Sequence, residues 1–369
     1  MDSAHPSGTA PLYAGEVLTT IAGFPTIYHY QPGISLDISE AAKSLIVCVP
    51  GGMHLARIFY GGHEGSNPKD FLAYHLSRRG FGVLSLSYPT ETDPGIMPAT
   101  ASGFRIQDWG RQAAMTTKRV IQENGLPSRR IILISWSMGG RMVVPFSISA
   151  KELGLEVSQY ISFAATPGIS SIRPLSPGIV CSQAGYFLVP SRPDAFYRQV
   201  QEMEGLNGGR EILPPDVYCR EYIGGTPINL IGMRLKYDGK SSFVRDEVPH
   251  EEETKVFDVT NFPFITALHP TGILDASHAL GDKASWGFLL TYKLETMIQQ
   301  QALSKIQGTP EWEKLLDHVH SAPTRLCVPV PGNHFFFVGE RSAGEVVERV
   351  VKLIEEARAF QCELLEILS

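Results

Sequence analysis

Short, wholly apolar runs alternate along the chain with longer amphipathic stretches. The run at 45–50 reads Leu-Ile-Val-Cys-Val-Pro, and the run at 131–135 reads Ile-Ile-Leu-Ile-Ser. Apolar runs of this length, bounded by turn residues, are typical of strands that are buried on both faces of a sheet. The pattern therefore predicts central strands covered by helices on both sides.

Strands and helices alternate through the first half of the chain. An opening pair of strands is predicted within residues 12–30. The elements predicted after that pair are strand 45–50, helix 69–79, strand 81–87, helix 105–124, strand 131–135, helix 138–152 and strand 158–165. This alternation predicts an α/β fold with a mostly parallel sheet flanked by helices.

The regular alternation stops after residue 168, in a region rich in Pro, Gly, Tyr and Arg. We expect residues 169–255 to form a cap, or lid, inserted between two parts of one core, 1–168 and 256–369. Loops at the carboxyl ends of parallel strands are where such folds place their sites, so the cap is expected over the site. The later core elements are predicted as a strand from Phe262, helices at 283–305 and 310–320, a strand at 326–330 and a closing helix from Ala343.

The predicted cap is rich in aromatic and methionine side chains. They could form an apolar roof over a bulky, mostly uncharged substrate, or they could be the cap's own core, and the sequence leaves both interpretations open. The side chains concerned are Tyr186, Phe187, Phe196, Tyr197, Met203, Tyr218, Tyr222 and Met233.

Composition narrows the class of protein. With 369 residues and 43% apolar content, the chain can bury a large core. A formal charge of −6 and the lack of a Lys/Arg run argue against nucleic acid or an anionic membrane as a partner. No apolar stretch is long enough to cross a membrane, and the first residues do not resemble a signal peptide. Five scattered cysteines read as reduced thiols, so a cytoplasmic location is expected.

The segment 130–144 carries the strongest chemical signal. An apolar strand meets the sequence Ser-Trp-Ser-Met-Gly and then continues into a helix-compatible stretch. A serine at such a corner projects from the sheet edge and needs small residues two positions away on either side. Ser135 and Gly139 meet that requirement around Ser137, although Ser135 stands where the usual pattern has glycine.

This corner resembles the nucleophile elbow of the α/β-hydrolase superfamily, and further motifs extend the resemblance over most of the chain. The run 45–53 ends in Pro-Gly-Gly-Met, which looks like the strand and loop that supply half of that family's oxyanion hole, with Pro-Gly-Gly in place of the more frequent His-Gly. The run 80–89 resembles the next strand. Residues 325–336 contain Pro-Gly-Asn-His, which resembles the loop bearing the catalytic histidine.

The resemblance implies a catalytic triad in the chain order Ser, acid, His. Ser137 would be the nucleophile, His334 its base and Asp275 the carboxylate that orients His334. Asp275 is favoured because it follows the strand that should precede the histidine strand. Asp238 is a rival and Asp258 a weaker third choice; any of the three could instead be a turn or cap aspartate.

The same resemblance implies two backbone donors for an oxyanion. Met138 should supply one N–H, and Gly52 or Met53 the other. His278 and Trp136 are candidates for contact with substrate, although His278 could equally steady the acid loop. The pair His318 and His320 has no ligand-spaced partners, so no metal is expected.

These features predict a serine hydrolase that cleaves an ester, lactone or thioester of a bulky, mostly apolar small molecule through an acyl-enzyme, with no cofactor. An acyltransferase of the same fold would use the same residues. A non-hydrolytic catalyst or a binding protein that keeps the fold is the competing class, because a fold does not determine a reaction. Substrate identity and oligomeric state are not readable from the sequence.

Overall fold

The structure is a computed structural model of the chain. It describes residues 11–34, 44–126, 130–169, 178–298 and 300–369, and for residues 300 and 301 it describes the backbone only.

One sheet of eight strands forms the centre of the molecule, in the order β1-β2-β4-β3-β5-β6-β11-β12. The first two strands and β4 pair antiparallel, and the six strands from β4 to β12 pair parallel. The eight strands are β1 Glu16–Ile21, β2 Phe24–Gln31, β3 Leu45–Val49, β4 Val83–Ser87, β5 Arg130–Trp136, β6 Glu156–Phe163, β11 Phe264–Pro270 and β12 Cys327–Val330.

The described residues form ten α-helices, and several of them, such as α2, α3 and α7, pack on the sheet. On α2, for example, Trp109, Ala113 and Val120 are buried at helical spacing. The helices are α1 Leu72–Arg78, α2 Ile106–Glu123, α3 Val143–Glu152, α4 Arg192–Leu206, α5 Pro215–Val217, α6 His250–Thr254, α7 Ala276–Met297, α8 Gln300–Ile306, α9 Pro310–Leu326 and α10 Glu340–Leu368.

The described residues 178–261 lie between β6 and β11, and we call them the intervening segment. It holds α4, α5 and α6 and two small hairpins, β7 Val180–Cys181 with β8 Phe187–Leu188, and β9 Leu235–Tyr237 with β10 Phe243–Arg245. Its backbone joins the loop after β3, because Leu55 N–H donates to the Tyr222 carbonyl and Gly224 N–H to the Met53 carbonyl. Of the aromatic and methionine side chains that the sequence analysis named here, Phe196, Tyr197 and Met233 are half-buried, and the others are buried, namely Tyr186, Phe187, Met203, Tyr218 and Tyr222.

The α/β fold with a mostly parallel sheet flanked by helices is confirmed. Several helix predictions were wrong at their ends: helix 310–320 continues to Leu326, and the closing helix begins at Glu340 rather than Ala343. Helix 138–152 begins as a short 3-10 helix over Ser137–Met142 before α3 starts. Helix 283–305 begins instead at Ala276, because packing of α7 on β11 and α9 outweighs the low helix propensity of Gly281 and Gly287. The helix ends at Met297.

Within the described residues, no helix is long and apolar enough to cross a membrane. Cys48 and Cys327 are buried in β3 and β12, as the apolar runs around them predicted. Burial raises the pKa of the Cys48 thiol well above its usual value, so this sulfur is an inert part of the core.

Candidate active site

Ser137 lies at the sharp turn between β5 and the following helix. Its φ is +54°, a left-handed conformation that non-glycine residues seldom adopt. The strand ends at Trp136, and the 3-10 helix begins at Ser137 itself. The half-buried Ser137 side chain is thereby presented at the carboxyl edge of the sheet.

The tightness of this turn explains the small residues around it. A Cβ added to Gly139 would lie 3.0 Å from Ser135 Cβ, and one added to Gly51 would lie 2.6 Å from Ser137 Cβ. Ser135 is tolerated in the place of the usual glycine, because its hydroxyl pairs with the buried Tyr160 hydroxyl at 2.9 Å. The departure from the Gly-x-Ser-x-Gly pattern therefore leaves the turn intact.

His334 and Asp275 meet across two neighbouring strands. His334 Nδ1 lies 2.8 Å from Asp275 Oδ2. The loops that carry them follow β12 and β11, and they are joined by Gly272 N–H, which donates to the Gly332 carbonyl at 2.7 Å. A side chain on Gly272 would collide with that carbonyl, because its Cβ would lie 2.7 Å from the oxygen.

A second bond connects the loop that carries His334 to β5, the strand that precedes Ser137. Trp136 Nε1 donates to the His334 carbonyl at 2.8 Å. The Trp136 ring is fully buried and also lies 5.0 Å from the His334 ring, centroid to centroid. The residue directly before Ser137 thus holds the backbone of His334 in place.

The two rival carboxylates lie elsewhere. Asp238 is in the exposed turn between β9 and β10, where it accepts hydrogen bonds from the backbone N–H groups of residues 240–242. Asp258 bonds the side chains of Thr260 and Asn261 at the start of a 3-10 turn. Both have the turn roles that short acidic side chains often take.

The loop of residues 50–54, which we call the glycine loop, lies beside Ser137. A Cβ on Gly52 would be 3.4 Å from Met138 Sδ, so the two proposed donor positions adjoin each other. Met53 has a φ of +64°, and its N–H donates to Thr226 Oγ1 at 2.8 Å. That hydrogen bond occupies the Met53 N–H and leaves Gly52 as the candidate donor in this loop.

His278 also lies beside His334, with ring centroids 4.8 Å apart. Its Nδ1 is 2.9 Å from each oxygen of Asp282, one turn further along α7. Two histidine–carboxylate pairs therefore stand side by side, and the sequence had suggested only one.

Asp275, His278 and His334 each bring one potential metal-binding atom within 4.8 Å of the others. His334 Nδ1 is hydrogen-bonded to Asp275 within the group, whereas His278 Nδ1 is hydrogen-bonded to Asp282 outside it. Neither bond needs a cation between its partners.

His54 is the residue of this region that the sequence analysis missed. It is fully buried between the glycine loop and the intervening segment. Burial lowers the pKa of His54 to about 3, so its ring is neutral near pH 7. Its position directly after the Gly-Gly-Met run was the available signal, but the partners that define its role are remote in sequence.

The mostly parallel sheet, with Ser137 at the end of β5 and His334 after β12, is the arrangement that the sequence resemblance predicted. The chain has the α/β-hydrolase fold.

No protein-family profile matches the chain, and no curated protein sequence matches it. Among solved structures it is similar to a soluble variant of monoglyceride lipase from Saccharomyces cerevisiae, with 10% identity, a TM-score of 0.46 and coverage of 98% of this chain and 99% of that one. It is also similar to a Pyrobaculum calidifontis esterase, with 14% identity, a TM-score of 0.44 and coverage of 94% and 85%. MenH from S. aureus has 12% identity, a TM-score of 0.44 and coverage of 90% and 98%.

Proposed function

We propose that this protein is a serine hydrolase of carboxylic esters or thioesters, with Ser137, His334 and Asp275 as its triad. The observation that carries the proposal is the bond from Trp136 Nε1 to the His334 carbonyl, together with the His334–Asp275 bond. These two bonds connect the carboxylate, the base and the residue before the nucleophile. Asp238 and Asp258 have no such connection in the described chain.

The proposed reaction begins with proton transfer. His334 takes the proton of the Ser137 hydroxyl through Nε2, while Asp275 holds Nδ1–H and stabilises the imidazolium that forms. The Ser137 oxygen bonds to the carbonyl carbon of the substrate. The bond to the alcohol or thiol then breaks, and His334 gives its proton to that leaving group. Water repeats the sequence on the acyl-enzyme and releases the acid.

The carbonyl oxygen becomes negatively charged during each of these additions. We assign its two donors to the N–H groups of Met138 and Gly52, whose residues adjoin each other beside Ser137. Backbone donors that are already in place stabilise this charge without reorganising during the reaction. Met53 is omitted because its N–H is bonded to Thr226.

The proposed substrate is bulky and mostly apolar, and the intervening segment is proposed to act as the cap. Ile231 supports this, because a Cβ on Gly52 would lie 3.8 Å from its Cδ1. Half-buried Phe196, Ile231 and Met233 pack together with Met53 in one apolar cluster next to the glycine loop. We assign His278 to the wall of the site beside His334. Trp136 is fully buried, so we assign it to positioning His334 rather than to touching substrate.

A fluorophosphonate probe tests the proposal directly. An activated serine attacks its phosphorus and expels fluoride, so we expect one covalent adduct on Ser137, read by intact mass and peptide mapping. Ser137→Ala and His334→Ala should each abolish it. Ser147→Ala is the matched control, because Ser147 lies on α3 close after the turn and is half-buried like Ser137.

Wild-type protein that has not been treated with the probe should hydrolyse p-nitrophenyl esters, with kcat/KM that falls by about 10³-fold or more in Ser137→Ala. A folded wild-type protein that neither takes the label nor turns over esters and thioesters of several chain lengths would contradict the proposal. Labelling at another serine would contradict the assignment of Ser137.

A further inference from the structure

The imidazole of His54 lies where three loops of the proposed site meet. Its ring centroid is 4.6 Å from that of Trp136, which precedes Ser137, and 5.6 Å from that of Phe335, which follows His334. From the intervening segment, Phe196 packs against it with its centroid 4.9 Å away. One buried ring thus contacts the chain neighbours of both the proposed nucleophile and the proposed base.

Two hydrogen bonds determine the protonation of this ring. His54 Nδ1 is 2.9 Å from the Gly52 carbonyl oxygen, and Nε2 is 2.8 Å from the Tyr218 hydroxyl. A carbonyl oxygen can only accept, so Nδ1 carries the hydrogen and Nε2 accepts from Tyr218. Burial raises the pKa of the Tyr218 hydroxyl well above its usual value, which keeps that donor protonated.

Both peptide groups around Gly52 are held by hydrogen bonds, and two of the three partners, Tyr88 and Thr226, lie outside the glycine loop. The Gly51 carbonyl accepts from the Tyr88 hydroxyl at 2.9 Å. Because a trans peptide points its C=O and N–H in opposite directions, the Gly52 N–H is turned to the side away from Tyr88. The next peptide is bonded at both ends, its Gly52 carbonyl to His54 and its Met53 N–H to Thr226.

We propose that His54 is a positioning residue that, with Tyr218, holds the Gly52 N–H in place for the charged oxygen of the transition state. The inference rests on the proposed function and adds a dependence on the intervening segment, which contributes both Tyr218 and Thr226. A shift of that segment would move the Gly52–Met53 peptide, which is joined through the Gly52 Cα to the peptide that carries the donor. The rate of acyl transfer therefore depends on the position of the intervening segment, independently of how tightly the substrate binds.

His54→Phe and Tyr218→Phe separate this role from simple packing. The first keeps an aromatic ring and removes both hydrogen bonds, and the second removes only one hydroxyl. Since loss of an oxyanion donor costs about 10²–10³-fold in kcat, we expect misplacement to lower kcat about 10–100-fold in His54→Phe and about 3–10-fold in Tyr218→Phe. KM should stay within about threefold, because the lost interaction acts only on the transition state.

A trifluoromethyl ketone provides a second readout, because Ser137 converts it to a charged tetrahedral adduct. Its inhibition constant should rise in each variant by about the same factor as kcat/KM falls. The matched control is His318→Phe. His318 is another buried histidine bonded to a backbone carbonyl, Phe360 at 3.0 Å, and it lies on α9. That variant should lose stability and keep kcat.

The outcomes are distinct. If wild-type protein labels at Ser137 and folded His54→Phe and Tyr218→Phe both keep kcat within about twofold, the inference fails and the proposed function stands. A fall in kcat with no change in ketone inhibition also overturns it. If His54→Phe does not fold, Tyr218→Phe alone decides by the same criteria. If wild-type protein takes no label and turns over no ester, the proposed function fails and the inference falls with it.

Discussion

Two histidine–carboxylate pairs of nearly equal geometry lie side by side in this structure. His334 and Asp275 are 59 positions apart in the chain and bond at 2.8 Å. His278 and Asp282 are four positions apart on α7 and bond at 2.9 Å. The first carboxylate is partly accessible, with 10% of its side chain exposed, whereas Asp282 is completely buried.

The difference between the pairs lies in what else holds each histidine. Only His334 has its backbone bonded to Trp136, directly before Ser137. His278 is fixed by its own helix, and its ring packs against the His334 ring. We therefore assign the proposed base by the connection between His334 and the residue before Ser137, and not by the histidine–carboxylate bond alone. The following predictions test this distinction.

Replacement of the two histidines should give the largest contrast. His334→Ala removes the proposed base and should lower kcat/KM for a p-nitrophenyl ester about 10⁴-fold, while His278→Ala should lower it less than about tenfold. Steady-state kinetics on both variants measures the difference. The reverse order of losses would assign the base to His278.

The two carboxylates should differ nearly as much. Asp275→Asn preserves shape but removes the charge that stabilises the His334 imidazolium, so we expect a loss of about 10³–10⁴-fold in kcat. Asp282→Asn should leave kcat within about tenfold, since its partner is not the proposed base. Equal losses in the two variants would show that the pairs work as one unit.

The two histidine variants should rank in the opposite order for stability. His278→Ala deprives a fully buried carboxylate of a hydrogen-bond partner, which should lower the free energy of unfolding by about 1.5–3 kcal/mol. His334→Ala should cost less, because Asp275 retains access to water. Urea denaturation followed by circular dichroism compares the two. A larger loss in His334→Ala would contradict the difference in burial.

The smallest effect concerns His54, which has no carboxylate partner among the described residues. Its pKa is lowered to about 3 from the usual 6.5, chiefly by burial. Between pH 6.5 and 5.5 the unfolded chain increasingly binds a proton that the folded chain does not, so the free energy of unfolding falls by about 1 kcal/mol. The slope should be shallower by that amount in His54→Phe between pH 6.5 and 5.5. Parallel slopes would show that His54 is not held neutral.

The sheet was predicted closely because its strands are short apolar runs. Predicted strand 45–50 is observed as Leu45–Val49, and strand 131–135 as Arg130–Trp136. The start of α7 was missed, since Ser277, His278 and Gly281 resemble a loop and only packing against the rest of the fold makes them helical.

The proposed site was also predicted from the sequence only in part. Ser137 stands out because a tight turn demands small neighbours at fixed spacing, and Asp275 and His334 were named from motifs. The hydrogen bond of the Met53 N–H could not be predicted from the sequence, because its acceptor Thr226 is 173 positions away. The role of His54 depends in the same way on Tyr218, 164 positions away.

The amino-acid sequence by itself determined the strand–serine–helix turn and the buried parallel strands, because sterics and apolar periodicity act between near neighbours. Only the tertiary structure decided which carboxylate pairs with His334, which N–H of the glycine loop stays available, and that a second pair and His54 stand beside the first. Those choices depend on hydrogen bonds between distant segments, which arise only when the sheet brings the ends of β3, β5, β11 and β12 to one edge.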